Sequence, residues 1–183
     1  MRHDPNTHHR RSIRLQGYDY AQEGAYFVTI CTHHRTCLFG EVVDSAMQLS
    51  GFGEIVQDCW FDIPAHFPYV ELDAFVVMPN HVHGVIVIVD EEGRGKVCTA
   101  PTSGFGRSVA GSLSAIVGSF KSAVTKQINE IRKTPRMTIW QRGYYDHVIR
   151  DEEDLNRIRQ YIVDNPAHWE LDSENPVCAR EKT

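Results

Sequence analysis

Apolar and polar residues change their period several times along the chain, and each change marks an element. Tyr26-Phe-Val-Thr-Ile-Cys31 is β-branched and aromatic and predicts a strand. Cys37 to Val43 predicts a second, shorter strand, joined to the first as a hairpin across His33 to Thr36. From Ser50 the spacing turns helical, with Phe52, Ile55, Val56, Cys59, Trp60 and Ile63 forming an apolar stripe that ends before Pro64. Val70 to Met78 and His81 to Val89 are apolar, β-branched runs that meet at Pro79-Asn80, each long enough for a central strand, and a second hairpin is the simplest connection. Ser112 to Arg132 is helical again, with Leu113, Ile116, Val117, Phe120, Val124, Ile128 and Ile131 at three- and four-residue steps. Lys121 and Lys126 fall off that stripe, on a face open to a ligand. Trp140 and Tyr144 to Ile149 predict a further strand. Asp151-Glu-Glu-Asp154 suits a helix N-terminus, where the dipole favours negative charge, and this last helix is expected to reach about Asn165 and stop at Pro166.

The order strand, strand, helix, two long strands, helix, strand, helix predicts an α+β fold, an antiparallel sheet with helices packed mainly on one face. With 183 residues and no internal repeat, one domain over 1–183 is expected, with 1–12 and 170–183 flexible. Residues 90–108 have loop composition and are expected to be mobile. Ala167 to Thr183 shows no clear period and reads as an irregular tail, with Trp169 a candidate to pack back onto the body.

Composition narrows the function class. Hydrophobic residues at 42% and charged residues at 23% suit a globular protein, and no apolar run approaches the roughly 18 to 20 residues of a membrane span. Met1 to Gln16 is rich in Arg and His and lacks the apolar stretch of a secretory signal, so a cytoplasmic location is expected. Five cysteines without a CxxC pair argue for reduced thiols. Cys31-Thr-His33-His34-Arg-Thr-Cys37 admits a zinc site or, more simply, a strand end and turn. The net charge of −5 is segregated: residues 1–35 carry +2, 36–90 carry −8, 91–150 carry +6 and 151–183 carry −5. Two basic segments can track phosphates, or they can be solvated faces.

Two places carry candidate chemistry. His81-Val82-His83 begins a strand, where alternation projects both imidazoles to one side and Val82 into the core, a geometry that can chelate one ion. In a chain with ten histidines, such a pair also arises by chance. Tyr161 and Asn165 are four apart near the end of the last helix and share a face, so an amide oxygen can complete a metal site beside a phenol. The plainer reading makes Tyr161 a core-edge residue and Asn165 a helix cap before proline.

Several separated motifs recur together in a known family. Met78-Pro-Asn-His-Val-His83, Trp140-Gln-Arg-Gly-Tyr-Tyr-Asp-His-Val-Ile149 and Tyr161-Ile-Val-Asp-Asn-Pro166 resemble, in order and spacing, the signature blocks of the REP-associated tyrosine transposases, relatives of the one-tyrosine HUH transposases. The segments from Arg14 to Thr32 and from Gly118 to Val124 are similar to weaker blocks. The resemblance implies a ferredoxin-like (RRM-like) sheet, His81 and His83 as ligands of Mg²⁺ or Mn²⁺, Asn165 as the third protein ligand, and Tyr161 as the nucleophile. It implies a strand transferase that cleaves single-stranded DNA, recognises hairpins and forms a 5′-phosphotyrosine with a free 3′-OH, as a monomer or homodimer. Ala167-His-Trp-Glu170 departs from the basic tail common in the family. Arg10, Arg11, Arg14, Arg107, Lys121, Arg136 and Arg142 are the candidate phosphate contacts, with Trp140, Tyr144 and Tyr145 as candidate stacking platforms. Two rivals remain: an inactive RRM-like nucleic-acid binding module, and a metal hydrolase using His81 and His83 without Tyr161.

Overall fold

Where the hydrophobic period changes, the backbone changes element. In chain order these are β1 (Gly24–Cys31), β2 (Gly40–Val43), β3 (Ala46–Leu49), α1 (Gly51–Phe61), the single turn α2 (Ile63–His66), β4 (Val70–Met78), β5 (His81–Ile88), α3 (Leu113–Arg132), β6 (Tyr145–Ile149), α4 (Glu152–Asp164) and a 3₁₀ segment, Pro166–Leu171. They come from a computed structural model that describes residues 19–89 and 111–176. Local chemistry sets the helix starts: the Ser50 hydroxyl accepts from the Gly53 amide, and the Asp151 carboxylate accepts from the Asp154 amide at 2.8 Å.

Four strands form an antiparallel sheet in the order β4-β5-β1-β6, the ferredoxin-like arrangement. Alternation sorts its two faces. Tyr26, Val28, Ile30, Val82 and Ile86 point to one side, where α1 and α3 cover them with Val56, Trp60, Ile116, Phe120, Val124 and Ile128. Gly84 lies on this face because the Trp60 ring occupies the space: a Cβ there would stand 2.3 Å from the indole, which stacks on Phe75 at 4.5 Å. Phe27 and Val85 point the other way and meet Ile158 and Ile162 of α4. Helices thus lie mainly on one face, and the exception, α4, is the helix that carries Tyr161.

Three expectations need correction. The segment from Cys37 to Val43 does not pair with β1, whose two edges are taken by β5 and β6; its strand, β2, pairs with β3 in a separate hairpin. Asp44 and Ser45 make that hairpin turn with φ of 50° and 62°, a conformation usually signalled by Asn-Gly, a pair absent here. Ile131, placed on the α3 core stripe, is 62% exposed. Pro166 ends α4 but opens the 3₁₀ segment, so the tail is structured through Asn175, whose side chain donates to the Trp169 carbonyl at 2.9 Å. Residues 90–108, 1–12 and 177–183 lie outside the described residues. Among the described residues no helix is long and apolar enough to cross a membrane.

Candidate metal and tyrosine site

His81 and His83 open β5 on the α4 face, and both are buried, at 0% and 3% exposure. Their Nε2 atoms stand 3.0 Å apart. The surroundings fix how those nitrogens are used. Asn80 donates both hydrogens of its amide, to the Arg35 carbonyl at 3.1 Å and the Glu174 carbonyl at 2.7 Å, so its Oδ1, 2.8 Å from His81 Nδ1, is the acceptor. His81 Nδ1 therefore carries the hydrogen and His81 Nε2 the lone pair. Thr29, the cross-strand partner of His83, places its hydroxyl 2.8 Å from His83 Nδ1. Burial depresses both imidazoles, His81 to about 4 despite the opposing Asp172 carboxylate, and His83 well below its ordinary value with the help of His81. At neutral pH both rings are uncharged, the form that binds a metal.

Oxygen donors approach from the tail and from α4. Asp172 Oδ2 lies 3.8 Å from His81 Nε2, and one ligand atom from each of His81, His83 and Asp172 falls within 4.8 Å of the others. Among the described residues this is the one His, Cys, Asp and Glu group close enough to share an ion. Asn165 is 3% exposed, and its Oδ1 is buried with no hydrogen-bond partner. Two neutral imidazoles and a carboxylate, with an orphaned amide oxygen on the residue that hydrogen-bonds Tyr161, are the ligand types a divalent cation takes.

Tyr161 completes the cluster. Its hydroxyl is 3.3 Å from His83 Nε2, its ring 5.1 Å from the His83 ring, and its side is open, at 49% exposure. Partial burial and the Asp172 carboxylate hold the phenol above its ordinary value, while a hydrogen bond from Asn165 pulls it back down. Ile158 and Ile162 anchor this stretch of α4 in the core, and Arg159 clamps the helix to β4 through a two-pronged pair with Asp73 at 2.8 and 2.7 Å. Tyr161 stands between two cavities: one of about 420 Å³ lined by Phe27, Tyr145, His147 and Arg157, the other of about 510 Å³ lined by Gln160, Asp164 and His168.

The structure therefore gathers His81, His83, Tyr161 and Asn165, the four residues singled out from the sequence, and adds Asp172. No periodicity marks Asp172. It reaches the histidines because Arg35 binds Glu174 at 2.9 Å and the Ser173 carbonyl at 3.0 Å, pinning an acidic tail segment that reads as solvated in sequence. The surface candidates scatter. Arg136 and Arg142 are exposed, whereas Lys121 is half-buried and donates to the Gln141 and Gly143 carbonyls at 2.7 and 2.9 Å, so it braces a loop and is not the free cation its position off the stripe suggested. Arg10, Arg11, Arg14 and Arg107 lie outside the described residues. Trp140 is buried against Phe39 and Phe120, while Tyr145 is 42% exposed. Cys31 donates to Glu174, and burial beside that carboxylate pushes its thiol up to about 12, so it stays protonated and makes a poor zinc ligand.

No protein-family model matches the sequence. An uncharacterized protein of Haemophilus influenzae is 42% identical over 176 residues, which span 93% of this chain and 96% of that one, and the two belong to one family. A second Haemophilus influenzae protein, provisionally named a REP-associated tyrosine transposase, is 24% identical over 152 residues, 81% of this chain and 73% of its own. Among solved structures, a REP-associated tyrosine transposase bound to a REP hairpin superimposes with a TM-score of 0.58 at 18% identity, over 85% of this chain and 73% of the other. The chain has the fold of a REP-associated tyrosine transposase. The resemblance carried by the three sequence motifs is thus met by both a sequence relative and a shared transposase fold. That fold places the His81 and His83 pair on a central strand of the transposase-like sheet, as the motifs implied.

Proposed function

We propose that this protein is a metal-dependent, tyrosine-nucleophile transposase that cuts and rejoins single-stranded DNA at hairpins. One observation carries the reading: the Tyr161 hydroxyl lies 3.3 Å from the nearer of two buried, uncharged imidazoles whose Nε2 atoms converge to 3.0 Å. A core-edge tyrosine has no need of such neighbours. The solved transposase with this fold is bound to a REP hairpin, which supports hairpin DNA as the partner here.

His81, His83, Asp172 and Asn165 would hold the ion, the hard carboxylate and amide oxygens favouring Mg²⁺ or Mn²⁺ over softer metals. A divalent cation supplies charge to neutralise the scissile phosphate and to offset the Asp172 carboxylate that holds the phenol up. Tyr161 loses its phenolic proton and attacks phosphorus, forming the phenolic O–P bond while the P–O3′ bond breaks; the departing oxygen takes up a proton to become the 3′-OH, so the step is neutral in protons overall. The 5′-phosphotyrosine keeps a phosphoester, so a second 3′-OH can displace the phenol and restore a phosphodiester without a nucleotide cofactor. The flanking nucleotide sits in the cavity of about 420 Å³, where the exposed Tyr145 ring offers a stacking surface and Arg157 a positive charge.

The test uses hairpin oligonucleotides with randomised arms, labelled at either the 5′ or the 3′ end, incubated with Mn²⁺ or Mg²⁺. The 3′-labelled strand is expected to stay on the protein in denaturant, and Tyr161→Phe to abolish that adduct without loss of fold. DNA binding with no adduct would return the protein to an inactive RRM-like module. Cleavage that survives Tyr161→Phe would make it a metal hydrolase.

A further inference from the structure

Away from Tyr161, a groove of about 830 Å³ runs between the C-terminal half of α3 and the segment 133–140, larger than either cavity beside the tyrosine. Lys126, Lys133 and Arg136 line it and are exposed, and none of them forms an ion pair among the described residues. Glu130 is the single acid of the lining. Three free cations concentrated along one groove in a chain of net charge −5 focus a positive field where the rest of the molecule repels anions.

The groove is built, not merely decorated. Lys133 and Arg136 both sit in the left-handed region, with φ of 55° and 70°, where a helix exit ordinarily uses glycine or asparagine. Asn129 secures the segment by donating to the Met137 carbonyl at 2.9 Å, and Lys121 secures its far end through Gln141 and Gly143. Between the cations, Pro135 and the half-exposed Met137 supply apolar contact area. Cations flanking an apolar floor suit a chain that alternates phosphates with flat, unpaired bases.

The groove also connects physically to the candidate site. The Ile139 carbonyl on its wall accepts from the His33 amide at 2.8 Å, Trp140 bridges to Thr32, and the Thr32 amide donates to the carbonyl of Asn80, the residue that orients His81. The groove and the histidine pair thus lie on opposite faces of the sheet and are joined through these backbone bonds at the end of β1.

We infer that this groove binds single-stranded DNA, with phosphates on Lys126, Lys133 and Arg136 and bases over Met137 and Pro135, as a second contact for the strand that reaches Tyr161. The inference rests on the reading of the protein as a DNA-acting enzyme, and its test is arranged to fail separately. Binding of a fluorescein-labelled 20-nucleotide oligo(dT) is measured by anisotropy across a salt series, in a Tyr161→Phe background that cannot cleave. Combining Lys126→Gln, Lys133→Gln and Arg136→Gln is expected to weaken binding about tenfold or more near 0.1 M salt. The same variant is expected to lower the slope of log affinity against log salt by about 2, from roughly 0.7 per phosphate contact on a single strand. Lys126→Arg with Lys133→Arg should keep the slope, and unchanged thermal melting shows that folding is intact. Affinity and slope within twofold of the parent would overturn the groove, as would an equal loss on a 20-base-pair duplex. Adduct formation by the wild-type protein reports separately on Tyr161: an adduct with an unaffected slope rejects the groove alone, and a lost slope without any adduct rejects the cleavage reading alone.

Discussion

Asn80 gives both amide hydrogens to carbonyls, and that choice determines which nitrogen of His81 faces its neighbour. Thr29, on the adjacent strand, holds the His83 ring through its hydroxyl, 2.8 Å from Nδ1. Partners that orient a ligand imidazole typically contribute 10- to 100-fold in metal affinity. Thr29→Val, which keeps the side-chain shape and removes the hydroxyl, is therefore expected to weaken Mn²⁺ binding by about tenfold in calorimetry, and an unchanged affinity would show that the pair does not bind metal through His83 Nε2. Asp172→Asn and Asn165→Ala separate the two oxygen candidates. The larger loss identifies the stronger oxygen ligand, and the carboxylate, which brings a full charge within 3.8 Å of His81 Nε2, is expected to give it.

At the scale of elements, the position of Tyr161 depends on how α4 lies across the sheet. Ile158 and Ile162 supply the apolar contact, and the Arg159 fork on Asp73 sets the register along β4. The pair is partly exposed, so its effect on global stability is small, and local motion is the better readout. Arg159→Met should speed amide exchange in α4 roughly two- to fivefold and lower the rate of adduct formation while leaving β1 and β5 protected. Hydrogen bonds from Arg159 hold the Asp73 carboxyl below its ordinary value. A carboxyl depressed in the folded state stabilises at pH above its unfolded value, about 3.9, and that contribution disappears as the pH falls through the lower folded value. The exchange difference between wild type and Arg159→Met should accordingly persist at pH 6 and vanish in strong acid.

The same scale shows what a sequence can reveal. The boundaries of β4, β5, α3 and α4 were legible because the strands are continuous apolar runs, the helices carry one apolar stripe, and each has a clear end signal such as Asp151 or Pro79-Asn80. The histidine pair was legible because strand alternation forces both rings to one side. Pairing of β2 was not, since partner choice depends on which edges of β1 are already occupied. Asp172 was not either: the tail is held by Arg35 and Asn80, residues distant in sequence, and its polar segment has no apolar period to read.

Across the whole molecule, the site depends on the opposite face of the same sheet. Gly84 follows His83 directly and leaves room for Trp60, whose ring fills the centre of the main core. Gly84→Ala would force the indole or β5 to move, and overpacking of this kind costs about 1 to 3 kcal/mol. For a chain of this length the melting temperature is expected to fall by about 3 to 10 °C, and an unchanged melt would mean that the Trp60 slot is loose. Because β5 carries both histidines, Mn²⁺ affinity should decline with it.

Tyr161 meets the histidines of its own polypeptide. A site completed within one chain predicts that turnover per mole of protein holds constant on dilution into the nanomolar range. Mixing Tyr161→Phe with His83→Ala should yield a silent blend, since neither copy lends the other its missing half; recovered cleavage would mean that helices trade places between copies.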